Sequence, residues 1–445
     1  RKMFLKNSII FFALLLTFSS NIIAEDTYTF SNVDEKNKIA DLDFVEFIKD
    51  TIILQPEYRK AIARKGEFLA NKKYAQRLRF PTLEAQVYND RTISRDITAN
   101  DYQSALRKTR DDTFDGIISI DQKIYSGNEI NSKVREAREE MEISDIDRDQ
   151  IASELVLQAV EIYVNASSAV LISDYAADLL SKVSKYRDTA KARFNAGAIE
   201  NSEFALINIR LSEIEVKATI LEANKVQNLS LFFSFYKDDY NKRGLPSLKL
   251  SSLDNFEIIN LVDTYDQLRS SREVKISEHN LEITKSQYRP KLGFAARFTQ
   301  YDLDDEAEDQ DIRGGFYVNF PVFSFGRGSA QVGAGKAKVQ QAKINKDVKS
   351  RESKNISANL YGSFLGSLRA RDRLLVSYDN VKLQRETFEI RMSGATFSTA
   401  ALLDAALKEI YFYEQLIENE KKLLMADLNS RHLRRQLLNR FKLIL

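Results

Sequence analysis

The chain has 445 residues, with 66 Lys and Arg against 64 Asp and Glu, so its net charge is only +2. That near balance lacks the basic excess a nucleic-acid partner requires. There is no Cys, and the two histidines, His279 and His432, lie far apart with no motif around either. No disulfide, thiolate metal site, cysteine nucleophile or histidine triad is supported, and we expect no enzyme activity, cofactor or metal.

Residues 1–24 carry the pattern of a secretory signal peptide: Lys2 and Lys6, an apolar run from Ile9 to Phe18, and Ile22-Ile23-Ala24 as a cleavage site. No later run of consecutive apolar residues approaches the length of a membrane span. An exported chain of this kind either stays soluble or enters a membrane as β-strands.

Asp26 to Lys49 is polar and is expected to be loose, followed by a helix from Asp50 to Leu78 that Pro81 ends. Leu83, Ala85 and Val87 then alternate with Glu84, Gln86 and Tyr88, the two-residue period of a half-buried strand. A long polar loop, Asn89 to Thr113, leads to a second strand in which Ile118, Ile120 and Ile124 alternate with polar residues. From Asn128 to Arg193 there is neither Pro nor Gly, a stretch of about 100 Å if helical. Leu155, Ala159, Ile162, Ala166, Ala169, Ser173, Ala176, Leu180 and Val183 recur at steps of four and three, the spacing of a coiled-coil seam. Phe194-Asn195-Ala196-Gly197-Ala198 breaks the helix, and Glu200 to Tyr236 returns.

After the link Asn241 to Pro246 the same grammar recurs: helix from Asp254 to Tyr288, a strand with Leu292, Phe294 and Phe298 on one side, and a strand with Phe316, Val318, Phe320 and Val322. A long helix to Arg391, a turn from Met392 to Ser398 and a return helix from Thr399 follow. Pro81-Thr82-Leu83 matches Pro290-Lys291-Leu292 at an offset of about 209. Tyr125-Ser126-Gly127 matches Phe323-Ser324-Phe325-Gly326, and Arg193 to Gly197 matches Arg391 to Ala395, both offset by about 198. Three landmarks in one order imply an internal duplication, with repeats over 25–245 and 246–445. A rod this long cannot bury its apolar stripe alone, so the chain must pair with its own second copy or with other subunits.

These landmarks, together with Leu402-Leu403-Asp404-Ala405, resemble the TolC-type outer-membrane efflux and secretion family over nearly the whole mature chain. The resemblance implies an α+β membrane protein of a Gram-negative bacterium: a homotrimeric β-barrel with four strands per subunit, continued into the periplasm by a long α-helical coiled-coil barrel. It implies an outer-membrane exit duct of a tripartite efflux or type I secretion system. The partners would be a periplasmic adaptor (membrane fusion) protein, an inner-membrane transporter that is ABC-type or proton-driven, and outer membrane lipid, with no nucleic acid. Leu83, Val87, Ile118, Ile120, Phe294, Phe298, Phe316 and Val318 would face lipid. The helix tips, Phe194, Asn195, Gly197, Ala198, Met392, Ser393, Gly394, Ala395 and Thr396, would meet the adaptor. Asp404 would form a negative ring at the pore constriction.

This sequence departs from the family pattern at three places. Ala395 stands at the second tip's glycine position, Ala401 where a second tip carboxylate is frequent, and Lys123 where a junction proline is usual. The acidic run Asp302, Asp304, Asp305, Glu306, Glu308, Asp309 and Asp311 lacks the glycine and spaced glutamate of a calcium loop and fits a solvated extracellular loop. Gly333-Ala334-Gly335-Lys336 lacks the spacing and the Ser/Thr of a phosphate loop, and the lysines from Lys336 to Lys349 fit a wet helix face. From another class, a periplasmic or surface coiled-coil structural protein without a pore would share the helices; the exposure of the strand rows separates the two.

Overall fold

The computed structural model describes residues 42–91, 93–94, 112–237, 263–301, 303, 309–392, 398–441 and 443. The signal segment, the inter-repeat link, most of the acidic loop and residues 393–397 lie outside them. The elements in order are α1 (Leu42–Leu54), α2 (Pro56–Arg77), β1 (Thr82–Arg91), β2 (Asp112–Tyr125), α3 (Glu129–Ser184), α4 (Tyr186–Asn195) and α5 (Asn201–Tyr236). Then come α6 (Tyr265–Ser286), β3 (Lys291–Gln300), β4 (Gln310–Asn319), α7 (Arg327–Arg391), α8 (Thr399–Leu433) and α9 (Leu437–Arg440).

Local chemistry sets several boundaries. Pro56 opens α2, where its fixed φ suits the first turn. Thr264 caps α6 by accepting a hydrogen bond from the Gln267 amide at 3.3 Å. Helix α4 ends in a Schellman turn: Gly197 has φ 70°, its amide donates to the Phe194 carbonyl, and the Ala198 amide donates to the Arg193 carbonyl at 2.8 Å.

The two strand-to-helix junctions share one geometry. Each has two successive residues of positive φ, Gly127 and Asn128 before α3, Phe325 and Gly326 before α7. In each, a serine hydroxyl accepts from the amide four residues on, Ser126 from Ile130 at 3.2 Å and Ser324 from Gly328 at 3.4 Å.

Three expectations shift. The segment expected to be loose is helical from Leu42. Ile48 and Ile52 are fully buried, and Phe47 stacks on Tyr236 of α5 at 4.7 Å. The polar loop after β1 is shorter than expected, because the ladder runs to Arg91 paired with Asp112. The first long helix is interrupted at Lys185, between α3 and α4.

Strands β1 to β4 form one antiparallel sheet in chain order, a meander without crossovers. The helices pack alongside one another: α3 against α2, α5, α6 and α8, and α7 along α8. The Ala/Ser seam of α3 is inside, with Leu155, Ala159, Ala166, Ala169, Ser173, Ala176 and Val183 buried and Ile162 and Leu180 half-buried. The helical stretch Glu129–Asn195, spanning α3 and α4, is apolar enough over one window to cross a membrane, by length and composition, yet 61% of that window is buried against its neighbours. One core cluster joins α3 and α4, α5, the end of α7 and the start of α8, around Leu179, Leu211, Ile214, Leu403 and Ile410. Each such fully buried aliphatic side chain stabilises by about 1.5–3 kcal/mol relative to an exposed one.

Candidate functional site

Strand register sorts the sheet into two chemically distinct faces. Leu83 lies opposite Ile120, and Ala85 opposite Ile118. Ile118 lies opposite Phe298, Ile120 opposite Ala296, and Gln122 opposite Phe294. Phe294 lies opposite Phe316, Phe298 opposite Ile312, and Leu292 opposite Val318. Because paired residues share a face, all eight residues expected to meet lipid fall on one face. Leu83, Val87, Ile118, Ile120, Phe316 and Val318 are exposed, and Phe294 and Phe298 half-buried. The face is thus an aliphatic and aromatic surface that this chain leaves largely uncovered.

The other face carries Thr82, Glu84, Gln86, Tyr88, Ser119, Asp121, Arg297, Thr299, Arg313 and Tyr317. Tyr317 of β4 leans across β3 and donates to the Asp121 carboxylate of β2 at 2.8 Å. It crosses above Gly293, where any Cβ would collide with the Tyr317 ring. The outer strands β1 and β4 each pair on one side only, so both sheet edges present unpaired ladder groups.

Where the sheet meets the helices, Glu129 at the start of α3 accepts from Lys133 at 2.7 Å and from Lys291 of β3 at 2.6 Å. Burial works against its charge, but these two ammonium groups outweigh burial and hold the carboxyl at about 2. Arg289 completes the joint, donating to the Gly127 carbonyl at 3.2 Å and to Glu282 at 3.1 Å.

At the far end of the helices, Asn195, Gly197 and Ala198 are exposed on the α4–α5 turn, and Phe194 stacks on Phe204 with ring centroids 4.8 Å apart. Of the second tip, Ser393, Gly394, Ala395 and Thr396 lie outside the described residues. The Met392 side chain is buried in the core cluster, with the Thr399 hydroxyl donating to its sulfur at 3.9 Å.

Asp404 has two cationic partners. It lies 2.7 Å from Lys408 and 3.7 Å from Arg210 of α5, and Arg210 also pairs with Glu213. These four residues make a band of zero net charge rather than a purely negative one.

Close to Asp404 is a buried charge network that sequence reasoning missed. Arg385 of α7, 9% exposed, pairs with Glu409 of α8, 1% exposed, at 2.5 Å. Tyr175 of α3 donates to the same Glu409, and Tyr378 donates to Tyr175 at 3.1 Å. Glu389 adds a second carboxylate to Arg385 at 3.0 Å. Burial, together with the hydrogen bond to Glu409, pushes the Tyr175 phenol far up. Burial disfavours the Arg385 charge, but the Glu409, Glu389 and Glu386 carboxylates outweigh it and raise its pKa.

Two helix faces carry apolar rows in the open. Val376, Leu383 and Ile390 of α7 are exposed at seven-residue spacing. On α5, Ile209, Val216 and Ile220 are exposed and line a shallow groove with Leu407 of α8.

No protein-family model and no curated protein matches the sequence. Solved structures do. A membrane protein from Pseudomonas aeruginosa superposes with TM-score 0.74 at 12% identity, over 93% of this chain and 99% of that one. The VceC outer membrane protein of Vibrio cholerae gives 0.71 at 13% identity, covering 90% and 96%. The CmeC outer membrane channel of Campylobacter jejuni gives 0.69 at 14% identity, covering 93% of each chain. Across almost its whole length, the chain has the TolC-type fold of the outer membrane channels.

Proposed function

We propose that this protein is a passive exit duct of the outer membrane, a homotrimer whose subunits each contribute four strands to one twelve-stranded barrel and whose helices extend into the periplasm. The observation that carries the reading is the sheet: four strands, one uncovered apolar face, one polar face and two open edges. An open edge is not tolerated in hydrocarbon, and a four-stranded sheet cannot close alone; three copies remove every edge. The apolar face then meets lipid through Leu83, Val87, Ile118, Ile120, Phe294, Phe298, Phe316 and Val318, and the polar face lines the lumen. This two-faced exposure favours a duct over a pore-free coiled-coil rod.

The helix rows fit the same reading. The exposed apolar residues of α5 and α7 are spaced for coiled-coil contacts between subunits. Their placement near the tips leaves the α4–α5 turn and the 393–396 turn to meet a periplasmic adaptor bound to an inner-membrane transporter, in an efflux or type I secretion assembly. Asp404, with Arg210 and Lys408, would form the charged band of the constriction. The duplication over 25–245 and 246–445 belongs to this reading, supported by the recurring helix, hairpin, long helix, turn and return helix and by the matching junctions.

The test uses the absence of native Cys. Single cysteines scanned along β1 and β4 in paired combinations, followed by mild oxidation in detergent, should yield disulfide ladders that stop at three chains. Ladders that stop at two, or run on without limit, would exclude the closed trimer.

A further inference from the structure

Four helices continue the four strands in the same lateral order. Helix α2 leads into β1, α3 leaves β2, α6 leads into β3 and α7 leaves β4, with α2 against α3, α3 against α6 and α6 against α7. Their charges are unequal. Helix α2 holds seven Lys and Arg against two Asp and Glu, and residues 327–354 of α7 hold eight against two. Between them, residues 129–149 of α3 hold four against eight, and α6 holds four against four. The positive excess of this layer therefore sits on its two outer helices.

Part of that charge is spent inward: Lys65 pairs with Asp145 at 2.8 Å, Arg64 with Asp147 at 3.6 Å, and Lys343 with Glu278 at 3.5 Å. The rest is not. Arg59, Lys60 and Arg77 of α2 are exposed and have no ion-pair partner among the described residues. The same holds for Lys336, Lys338, Lys346, Arg351 and Lys354 of α7. Other solvated helix faces of this chain carry pairs one turn apart, such as Lys133 with Glu129 and Lys182 with Asp178. On α7, by contrast, Lys343, Lys346 and Lys349 follow one another at three-residue steps, and Arg351 and Lys354 repeat the step. Like charges one turn apart oppose helix formation, and of these five only Lys349 is paired on its own helix, with Glu352 at 2.7 Å. A row kept cationic at that cost is complementary to an extended partner of negative charge. From Lys336 to Lys354 it lies about 14–40 Å from the start of α7, at about 1.5 Å per residue. The headgroup layer beyond the hydrocarbon is only about 5–8 Å deep on each side, so lipid phosphates do not reach along it.

We propose that the free cations of α2 and of the first half of α7 form a basic belt that binds the carboxylates of peptidoglycan stem peptides and ties the periplasmic shaft to the cell wall. The proposal rests on the outer-membrane reading, which puts these helices in the periplasm. In the trimer, α7 lies beside α2 of the next subunit, because β4 and β1 are the open edges. The two rows then join into one strip at each of the three seams. Peptidoglycan is the occupant because it is an extended periplasmic polymer with free carboxylates, and because the belt runs along the shaft beyond the reach of headgroups. A lumen lined by the same cations is the competing outcome.

The test mixes purified full-length protein in detergent with isolated peptidoglycan sacculi, which pellet on centrifugation. A belt variant carries Arg59→Gln, Lys60→Gln and Arg77→Gln on α2 with Lys336→Gln, Lys338→Gln, Lys346→Gln, Arg351→Gln and Lys354→Gln on α7. The α2 triple alone is matched by a control triple off the belt, Lys182→Gln, Lys191→Gln and Arg373→Gln, whose side chains are also exposed. The belt predicts that wild type and control triple pellet alike, that the α2 triple pellets less, and that the belt variant pellets about tenfold less. Wild-type retention should vanish near 1 M NaCl, where the screening length is about 3 Å, and on sacculi whose carboxyls have been amidated. These two arms need no variant, so they decide even where the belt variant misfolds. Retention of the belt variant equal to wild type, or wild-type retention that survives amidation, overturns the belt. Unchanged retention with a reversal potential shifted toward cation selectivity places the cations in the lumen and overturns it too. Conductance steps in a planar bilayer from wild-type protein that sacculi do not retain overturn the belt and leave the duct standing. Wild-type protein that gives neither steps nor retention overturns the outer-membrane reading, and the belt with it.

Discussion

At the scale of single residues, three side-chain arrangements carry distinct consequences. Gly293 is held to glycine by the Tyr317 ring above it. Gly293→Ala should break the Tyr317–Asp121 bond and cost about 1–3 kcal/mol, the usual penalty of overpacking, read as a lower unfolding temperature in detergent. Adding Tyr317→Phe, which removes the hydroxyl but keeps the ring, should not rescue it, whereas adding Tyr317→Ser should. Glu409 neutralises a buried guanidinium, so Glu409→Leu should destabilise by about 3 kcal/mol, and Arg385→Met in the same chain should restore most of that loss. Additive losses in the double variant would show that the two residues act independently.

Glu129 supplies the pH signature. Its folded pKa is depressed from 4.5 to about 2, so its stabilisation is fully present above pH 4.5 and is lost as pH falls through about 2. Thermal unfolding across that window should decline with acid more steeply in the wild type than in Glu129→Gln; equal slopes would remove Glu129 from the acid response. The proposed pore role of Asp404 is tested by conduction. With Arg210 and Lys408 beside it, Asp404→Ala should leave cations in excess and shift the reversal potential toward anion selectivity. An unchanged reversal potential would place Asp404 outside the conduction path.

At the scale of elements, the exposed rows of α5 and α7 predict an assembly defect. Val216→Glu combined with Leu383→Glu places carboxylates in the proposed intersubunit seam. Light scattering in detergent should then give a mass nearer one chain than three, while helical content is retained. An unaltered mass would show that the rows do not join subunits.

The strands were legible in the sequence because period-two alternation needs no partner to be seen: Leu83, Val87, Phe294 and Phe316 declare their face locally, and the register agrees. The α4 end was legible through Gly197, which only a left-handed turn explains. The α1 start was missed because its burial depends on α5, whose Phe232 and Tyr236 are far along the chain. The Arg385–Glu409–Tyr175 network was missed for the same reason. Its members come from three helices, and no helical spacing connects residues 24 and 234 positions apart. The counter-ions of Asp404 were half legible, since Lys408 is one turn away on the same helix but Arg210 arrives only through packing.

At the scale of the whole molecule, one chain leaves an apolar sheet face, two sheet edges and two helix rows uncovered. Each is costly in water, and a trimer set in a bilayer satisfies all of them together. The central claim is that the protein conducts. Its most direct test is single-channel recording of the purified wild-type protein in a planar phospholipid bilayer. The account predicts discrete, repeatable conductance steps from protein that needs detergent to remain in solution. A protein that stays soluble without detergent and yields no steps would contradict it.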